Sequence, residues 1–306
     1  MDKKILITGS EGFIGHHLLK NLNKKKIKLF ASYYKKNNKK KFKNVKYLKC
    51  NFKKFEEIKI LINKTKPNVI YHLAAKSHPT YSFKNPINTM ETNVMGTVKL
   101  FEACRSLKNK PKIVVACSSA QFGSKNKNEL PINEKSSSFP EHIYGFSKLI
   151  QNLLSKQYSK MFKMKIYQAI IFNTSGQGKN FDVFQDICRQ YLRQKNKKKI
   201  FIETGNLNNL RDFSHVDDVA QALIKISRKG KLGESYIISS NKLEQVSKII
   251  SILKKLTKRE IIIKKNTKLF RKFDEKFILG NNSKIKKIGW KNKKNMEDII
   301  KDIIFK

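Results

Sequence analysis

A tyrosine and a lysine four residues apart are the side chains best suited to acid–base chemistry. Tyr144 and Lys148 fall in a predicted helix, where this spacing places two side chains on one face about 5–6 Å apart. An ammonium group there favours a phenolate, so Lys148 is expected to lower the pKa of Tyr144 from about 10. Ser118 follows a predicted strand and would hold the reacting oxygen. The pair alone also fits ordinary helix packing, but with Ser118 it predicts proton transfer at a substrate oxygen.

The turn after the first predicted strand carries three glycines. Residues 5–7 are apolar, and Gly9, Gly12 and Gly15 precede the start of an apolar helix. Such a turn brings backbone N–H groups and a helix N-terminus to one point, which favours an anion such as a pyrophosphate. We interpret it as a nucleotide-binding turn.

Predicted strands alternate with helices through the first half of the chain. The strands cover residues 5–7, 27–33, 45–50, 68–74, 112–117 and 166–172, and the clearest helices cover 90–106 and 144–162. This alternation predicts an α/β fold with a doubly wound parallel sheet and right-handed crossovers. Ligands bind outside the carboxyl ends of such strands, where the glycine turn and Ser118 lie. Beyond residue 173 the pattern is less regular, which predicts a smaller lobe that covers the substrate.

The composition limits the class of protein. The chain has 306 residues, enough for two domains, and 39% of them are hydrophobic. No apolar run approaches the ~18 residues of a membrane helix, and the chain opens with a strand instead of a secretory signal. We therefore expect a cytoplasmic protein without a membrane partner. The cysteines lack metal-ligand spacing, so reduced core thiols and no metal site are expected of Cys50, Cys104, Cys117 and Cys188.

A formal charge of +44 raises the question of a nucleic-acid or membrane partner. Seven of the 67 basic residues are arginine, whereas specific phosphate and base readout relies on arginine. The lysines are spread among many asparagines and isoleucines, as an AT-rich coding sequence would produce. The densest cluster, residues 35–41, favours a solvated loop over a nucleic-acid patch. Nonspecific polyanion binding at low salt is expected as a side effect.

The sequence resembles the extended short-chain dehydrogenase/reductase family of sugar-nucleotide epimerases, dehydratases and reductases over nearly its whole length. Thr8–Gly15 is similar to the glycine motif, Tyr71–Ala75 to the fourth-strand signature and Asn93–Thr97 to the following helix. The resemblance implies a Rossmann-type NAD(P)-binding domain over 1–172. Residues 173–306 would form mainly a substrate lobe, with some segments returning to the first domain.

The resemblance also assigns roles to individual residues. Tyr144 would be the acid/base, Lys148 would bind the nicotinamide ribose and depress the tyrosine pKa, and Ser118 would hold the substrate oxygen. Further cofactor contacts would come from Gly9, Gly12, Phe13, Ile14, Gly15, Tyr33, Lys35, Asn51, Phe52, Leu73, Ala74, Ala75 and Asn93.

The C-terminal half resembles the GDP-sugar branch, the GDP-mannose dehydratases and GDP-4-keto-6-deoxy-mannose reductases. The similar segments are Phe172–Gly176, Gly205–Leu207, Arg211–Val219, Arg271–Asp274, Gly280–Asn281 and Ile288–Trp290. This branch implies substrate contacts from Ser119, Asn173, Arg189, Asn206, Arg211 and Arg271. A guanidinium fork suits a diphosphate, although a surface ion pair is an equal alternative for Arg189.

One departure from the family bears on the reaction. In the dehydratases a carboxylate two residues after the Ser/Thr partner serves in elimination of the C6 hydroxyl, and here that position is Ala120. Carbonyl reduction needs only Ser118, Tyr144 and Lys148, so we expect reduction at C4 of a 4-keto-6-deoxy nucleotide sugar. A 4-epimerase with retained NAD uses the same three residues and stays open. A GDP-mannose 4,6-dehydratase is disfavoured, and a non-catalytic polyanion-binding protein is the remaining alternative.

The cofactor is expected to be NADP, with NAD as the alternative. NAD binders place an acidic residue about 20 residues beyond the glycine turn, but residues 31–36 hold no carboxylate and two lysines, Lys35 and Lys36. The same lysines also fit a merely lysine-rich loop. Asn51 stands where the family usually has Asp near the adenine. Family members are often dimers, and the apolar faces of helices 90–106 and 144–162 would allow a homodimer.

Overall fold

Parallel strands form the central sheet of the molecule. The computed structural model describes residues 3–23, 27–35, 42–270 and 277–305. Within these residues the strands are β1 Lys4–Thr8, β2 Lys28–Tyr33, β3 Val45–Lys49, β4 Val69–His72, β5 Lys112–Ser118, β6 Ile166–Ile171, β7 Thr174–Ser175, β8 Lys199–Thr204, β9 Leu210–Arg211, β10 Ser214–His215, β11 Ser235–Ile238, β12 Glu244–Gln245, β13 Glu260–Lys265 and β14 Phe277–Ile278.

The helices cover the sheet and build the second lobe. They are α1 Phe13–Leu22, α2 Phe55–Thr65, α3 Pro79–Lys84, α4 Pro86–Met90, α5 Gly96–Arg105, α6 Ile143–Phe162, α7 Val183–Gln194, α8 Val216–Lys229, α9 Lys248–Thr257, α10 Ser283–Lys287 and α11 Met296–Ile304. A π-helical turn, Glu91–Met95, joins α4 to α5, and short 3₁₀ turns occupy Ser119–Gln121, Lys127–Glu129 and Thr267–Leu269.

The main sheet has seven strands in the order β11-β6-β5-β4-β1-β2-β3, and every neighbouring pair is parallel. The predicted doubly wound α/β fold is confirmed. The strand order reverses between β1 and β4, and such a switch point opens a crevice at the carboxyl ends of the two strands. The glycine turn follows β1, so the sheet topology places it at this crevice.

Separate apolar cores lie on the two faces of the sheet. One core packs Leu18 of α1 and Leu223 of α8 against β1, and the other packs Ile58 of α2 and Leu100 of α5 against the opposite face. Burying such side chains stabilises the fold by about 1.5–3 kcal/mol each. All four cysteines are buried and none is in a disulfide. None of the helices in the described ranges has both the length and the hydrophobicity of a membrane span.

The seventh strand of the main sheet was absent from the sequence prediction. Ser235–Ile238 pairs with β6 along its whole length and is fully buried. Its apolar run is short, and runs of that length do not distinguish a buried strand from a piece of helix. The return of later segments to the first domain stays a prediction. The boundary at 172/173 stays a prediction.

The second half of the chain has an apolar core of its own. Phe184 of α7, Ile200 of β8, Ile249 of α9 and Ile299 of α11 belong to one buried cluster. Small sheets surround it, with β8 paired to β13 and β9 lying between β12 and β14. This lobe holds Arg189, and its place as one wall of the substrate cleft stays a prediction.

A charged cluster joins the C-terminal segment to α8 and α1. Lys294 Nζ lies 3.0 Å from Asp217 and 3.2 Å from Asp302, and His215 Nε2 lies 3.0 Å from Asp302. Asp217 also pairs with His17 of α1 at 2.9 Å. Three of these side chains have the ligand types of a metal site, and the Lys294 ammonium bridges the two carboxylates. The cluster is therefore an ion-pair network that fixes α11.

Candidate active site

The glycine turn packs directly against the end of β4. Gly9 has a φ of +65°, and a Cβ atom there would lie 2.7 Å from the backbone nitrogen of Ala74. A Cβ on Gly15 would lie 2.4 Å from the Gly9 carbonyl oxygen. Only glycine permits this conformation and approach, so the first turn of α1 comes close to β4. The turn leads directly into the N-terminus of α1, and a helix N-terminus suits an anion such as a pyrophosphate.

A buried polar network fixes the backbone beside this turn. Thr8 Oγ1 accepts the N–H groups of Leu73 and Ala74, both at 3.1 Å, and lies 2.9 Å from His72 Nδ1. His72 Nε2 continues the network to Thr97 Oγ1 at 3.1 Å. Burial lowers the pKa of His72 to about 3, so its imidazole is neutral. The network therefore connects the glycine turn to α5 without a buried charge.

Ser118, Tyr144 and Lys148 come together as predicted. Ser118 ends β5, and its hydroxyl makes a side-chain hydrogen bond with Tyr144. Lys148 lies one turn further along α6, with Nζ 5.9 Å from the centre of the Tyr144 ring. The same Nζ donates to the Ala116 carbonyl oxygen at 2.8 Å. The three functional groups therefore share one end of the sheet.

The pKa of Tyr144 shifts in the direction opposite to the prediction. Burial raises it above its usual value, and the hydrogen bond from Ser118 offsets only part of that effect. Burial also lowers the pKa of Lys148 to about 8. Desolvation penalises the charged form of both groups. The spacing of the two residues along a helix does not show how deeply they are buried. The phenol therefore holds its proton at neutral pH and is ready to donate it.

Two residues that the sequence analysis missed hold the start of α6. The Tyr144 N–H donates to Ser82 Oγ at 3.2 Å, and the Gly145 N–H donates to His142 Nδ1 at 3.0 Å. Both N–H groups belong to the first turn of a helix, where backbone donors lack partners within the helix. His142 occupies the N-cap position two residues before Tyr144, so its place next to the predicted helix could have indicated the contact. Ser82 lies 62 residues away from Tyr144, and nothing in the sequence indicates that the two are in contact.

Asn93 connects the loop after β4 to the catalytic helix. Its Nδ2 donates to the Lys76 carbonyl oxygen at 3.1 Å and to Ser147 Oγ at 2.9 Å. Its Oδ1 accepts the Lys76 N–H at 2.7 Å. The side chain is thus engaged with protein atoms, and its predicted contact with a cofactor stays a prediction.

The remaining predicted cofactor residues lie along the same sheet edge. Tyr33 ends β2 and is half-buried, and Lys35 follows it and is exposed.

Asn51 follows β3, and its Oδ1 accepts the Lys53 N–H at 3.0 Å. Phe52 is buried, with its ring centre 5.4 Å from that of His72. Parallel pairing of β1, β2 and β3 places these residues beside the glycine turn. Phe13, Ile14 and Ala75 are half-buried at the same crevice.

The predicted substrate residues differ in how they are held. Asn173 Nδ2 is buried without a hydrogen-bond partner in the described ranges, whereas its backbone oxygen accepts the Ser214 N–H at 2.8 Å. Arg189 is half-buried, and its guanidinium lies 3.5 Å from the Lys179 carbonyl oxygen. Arg211 is 7% exposed and donates to the Leu210 carbonyl oxygen at 3.1 Å.

Other predicted substrate residues lie in turns or outside the described ranges. Asn206 is exposed, and its Oδ1 accepts the Asn208 N–H at 2.9 Å within a local turn. Ser119 begins the 3₁₀ turn that follows β5. Arg271 and Lys36 lie outside the described residues.

A family model described as GDP-mannose 4,6 dehydratase matches residues 6–303. The chain belongs to this family. It is an enzyme of the extended short-chain dehydrogenase/reductase type, whose relatives are nucleotide-sugar dehydratases, reductases and epimerases. The predicted family and enzyme class are therefore confirmed.

Several curated relatives illustrate the range of the family. The chain is 24% identical over 241 residues to GDP-6-deoxy-D-mannose reductase of Pseudomonas aeruginosa, covering 78% of this chain and 79% of the relative. It is 26% identical over 268 residues to GDP-mannose 4,6 dehydratase 2 of Caenorhabditis elegans, covering 80% and 69%. It is 31% identical over 274 residues to dTDP-D-glucose 4,6-dehydratase of Dictyostelium discoideum, covering 82% and 62%.

Solved structures share the fold across almost the entire chain. RMD from Pseudomonas aeruginosa, complexed with NADPH, has a TM-score of 0.83 at 22% identity and covers 99% of this chain and 98% of that one. A UDP-glucose 4-epimerase from Thermus thermophilus, complexed with NAD, has a TM-score of 0.86 at 19% identity and covers 98% and 97%. At these identities the likeness shows the fold alone.

Proposed function

We propose that the enzyme reduces the C4 carbonyl of a 4-keto-6-deoxy nucleotide sugar with NADPH. The observation that carries this proposal is a convergent proton-donating site that has no carboxylate at the dehydratase position. Ser118, Tyr144 and Lys148 converge, whereas Ala120, at the position of the dehydratase carboxylate, carries no titratable group. Reduction needs one proton donor, and dehydration needs an additional acid/base.

The chain's own residues would handle the proton. Bound NADPH supplies the hydride that adds to C4 of the sugar. The Ser118 hydroxyl holds the carbonyl oxygen, and Tyr144 donates its proton to that oxygen to form the hydroxyl. The raised pKa of Tyr144 keeps the phenol protonated before the reaction. The Lys148 ammonium stabilises the phenolate that remains, which regains a proton from solvent before the next turnover.

The glycine turn and the end of β2 support a nicotinamide dinucleotide phosphate. The positive φ of Gly9 and the tight backbone packing at Gly9 and Gly15 shape the turn at the N-terminus of α1, where a pyrophosphate would bind. Tyr33 and Lys35 follow at the next strand end, and a cation there favours a 2′-phosphate over a free hydroxyl. These features support NADP as the cofactor.

The wall across the crevice supports a nucleotide diphosphate, GDP-linked in this proposal. Asn173 Nδ2 is a buried donor without a described partner, and buried polar groups are normally paired. Arg189 and Arg211 supply guanidinium groups in the same lobe. A diphosphate would pair with donors of this kind.

We also propose that the enzyme is a homodimer assembled through α5 and α6. The apolar side chains on this side of the molecule that remain accessible include Met95, Leu153 and Met161, which are 47%, 51% and 66% exposed. Sedimentation equilibrium would test the proposal, and Leu153→Glu would be expected to shift the protein to monomer. A wild-type protein that sediments as a monomer at micromolar concentration would contradict it.

The reaction is tested by mixing the purified protein with NADPH and GDP-4-keto-6-deoxy-mannose. Loss of the reduced-nicotinamide absorbance and formation of a 6-deoxyhexose nucleotide are expected. A protein that leaves NADPH unchanged, but retains bound NAD and interconverts 4-epimers of a nucleotide sugar, would instead be an epimerase.

A further inference from the structure

His142 lies directly before the catalytic helix and contacts it in two ways. Its Nδ1 atom accepts the Gly145 N–H at 3.0 Å, which caps one of the unpaired donors in the first turn of α6. Its ring stacks on that of Tyr144, with centroids 5.9 Å apart and planes 14° apart. The imidazole therefore contacts both the backbone that carries the proton donor and the ring of the donor itself.

The surroundings of His142 decide its protonation. From α3 it meets the edge of the Phe83 ring, with centroids 6.1 Å apart. The Tyr144 phenol faces it from α6, and the Glu141 carboxylate faces it from the preceding loop. Glu141 raises the pKa of His142, but burial has the larger and opposite effect, so this pKa lies below its ordinary value of 6.5. At neutral pH the ring is uncharged, and Nδ1 accepts a hydrogen bond.

Resting on the proposed function, we propose that His142 is a positioning residue whose Nδ1 acceptor fixes the start of α6, and with it Tyr144, for proton transfer. Protonation of Nδ1 removes the acceptor for the Gly145 N–H. It also places a positive charge at a helix N-terminus, where a positive charge is unfavourable. As the pH falls through the lowered pKa of His142, the start of α6 therefore loosens and the Tyr144 ring loses its fixed orientation.

The cap can be observed without measuring activity. Tyr144–Gly145 is the only Tyr-Gly sequence in the chain, so carbonyl-¹³C tyrosine combined with ¹⁵N glycine selects the Gly145 amide in an NMR spectrum. We expect this amide to titrate with a midpoint below 6.5 in the wild type, and to show no such titration in His142→Asn. An amide that does not titrate in the wild type, or titrates identically in the variant, would overturn the proposal.

Matched substitutions then test the effect on the reaction. Asparagine is a favoured N-cap residue that keeps an acceptor but does not ionise, whereas alanine removes the acceptor. We expect His142→Ala to lower kcat by roughly tenfold and His142→Asn to stay within about threefold of the wild type at neutral pH. The loss of kcat below pH 6.5 in the wild type should be absent from His142→Asn. Wild-type kcat in His142→Ala, or the same acid limb in His142→Asn, would contradict the positioning role.

Two measurements separate this inference from the proposed function. If His142→Ala fails to fold by circular dichroism, the pH profile of His142→Asn decides the kinetic question. If the wild type does not oxidise NADPH with the keto sugar, the proposed reduction is wrong. The Gly145 titration then decides the inference alone.

Discussion

The start of α6 and the proposed substrate wall at Asn173 differ in how completely their polar groups are paired. At α6, the amides of Tyr144 and Gly145 and the Lys148 ammonium all have protein acceptors at 2.8–3.2 Å. In the wall, Asn173 Nδ2 is buried without a described partner, and the contact of Arg189 with Lys179 is 3.5 Å long.

This difference indicates a division of labour. Protein hydrogen bonds hold the start of α6, which carries the proposed proton donor, as preorganised catalysis requires. Under the proposed function, a bound diphosphate would pair with Asn173 Nδ2, which has no described protein partner. Substitutions at the start of α6 should therefore act on the rate, and substitutions in the wall should act on binding.

The largest effect is expected from Tyr144→Phe. It removes the donated proton but keeps the ring that stacks on His142, so kcat should fall by at least about 100-fold. Steady-state kinetics would measure the loss, with thermal unfolding as the control for folding. Unchanged turnover would show that Tyr144 is not the proton donor. It would also contradict the expectation that the start of α6 determines the rate.

The pH dependence of Lys148 is the next test. Burial lowers its pKa to about 8, so the ammonium is charged below that pH and neutral above it. If the charge is needed, kcat/KM should fall by roughly tenfold per pH unit above about 8. Lys148→Arg keeps a charged group and should flatten this limb, whatever its absolute rate. A wild-type profile that stays level to pH ~10 would show that the charge is not required.

The wall is tested by Asn173→Ala. Loss of a ligand hydrogen bond should raise the KM for the nucleotide sugar by about fivefold to tenfold with little change in kcat. The melting temperature should not fall, because the deleted donor has no described partner and the Ser214 contact uses the Asn173 backbone. A fall in kcat with unchanged KM would place Asn173 with the catalytic residues instead.

The smallest effect is expected at the rim of the cofactor cleft. Lys35 is exposed, so Lys35→Glu should reduce the preference for NADPH over NADH by only about threefold to tenfold. Lys43→Glu is the matched control, since this exposed lysine lies before β3 at the opposite edge of the sheet. Equal preferences in wild type and Lys35→Glu would contradict a role for Lys35 in cofactor choice.

The sequence predicted the sheet and the meeting of Ser118, Tyr144 and Lys148 because both follow from local patterns. Apolar strands ending in glycine or serine place their carboxyl ends at one crevice. The four-residue spacing of Tyr144 and Lys148 places both side chains on one face of a helix. The sequence did not predict the raised pKa of Tyr144, because burial depends on packing from distant parts of the chain. The contact of Ser82 with Tyr144 was missed for the same reason.

The path of the hydride tests the central claim most directly. NADPH deuterated at the transferring position, incubated with the protein and GDP-4-keto-6-deoxy-mannose, should place one deuterium at C4 of the product. Mass spectrometry and proton NMR of the sugar would detect it. Deuterium at C4 in the wild type, lost together with turnover in Tyr144→Phe, is the predicted result. A product without deuterium, or a Tyr144→Phe enzyme that transfers it at the wild-type rate, would contradict the account.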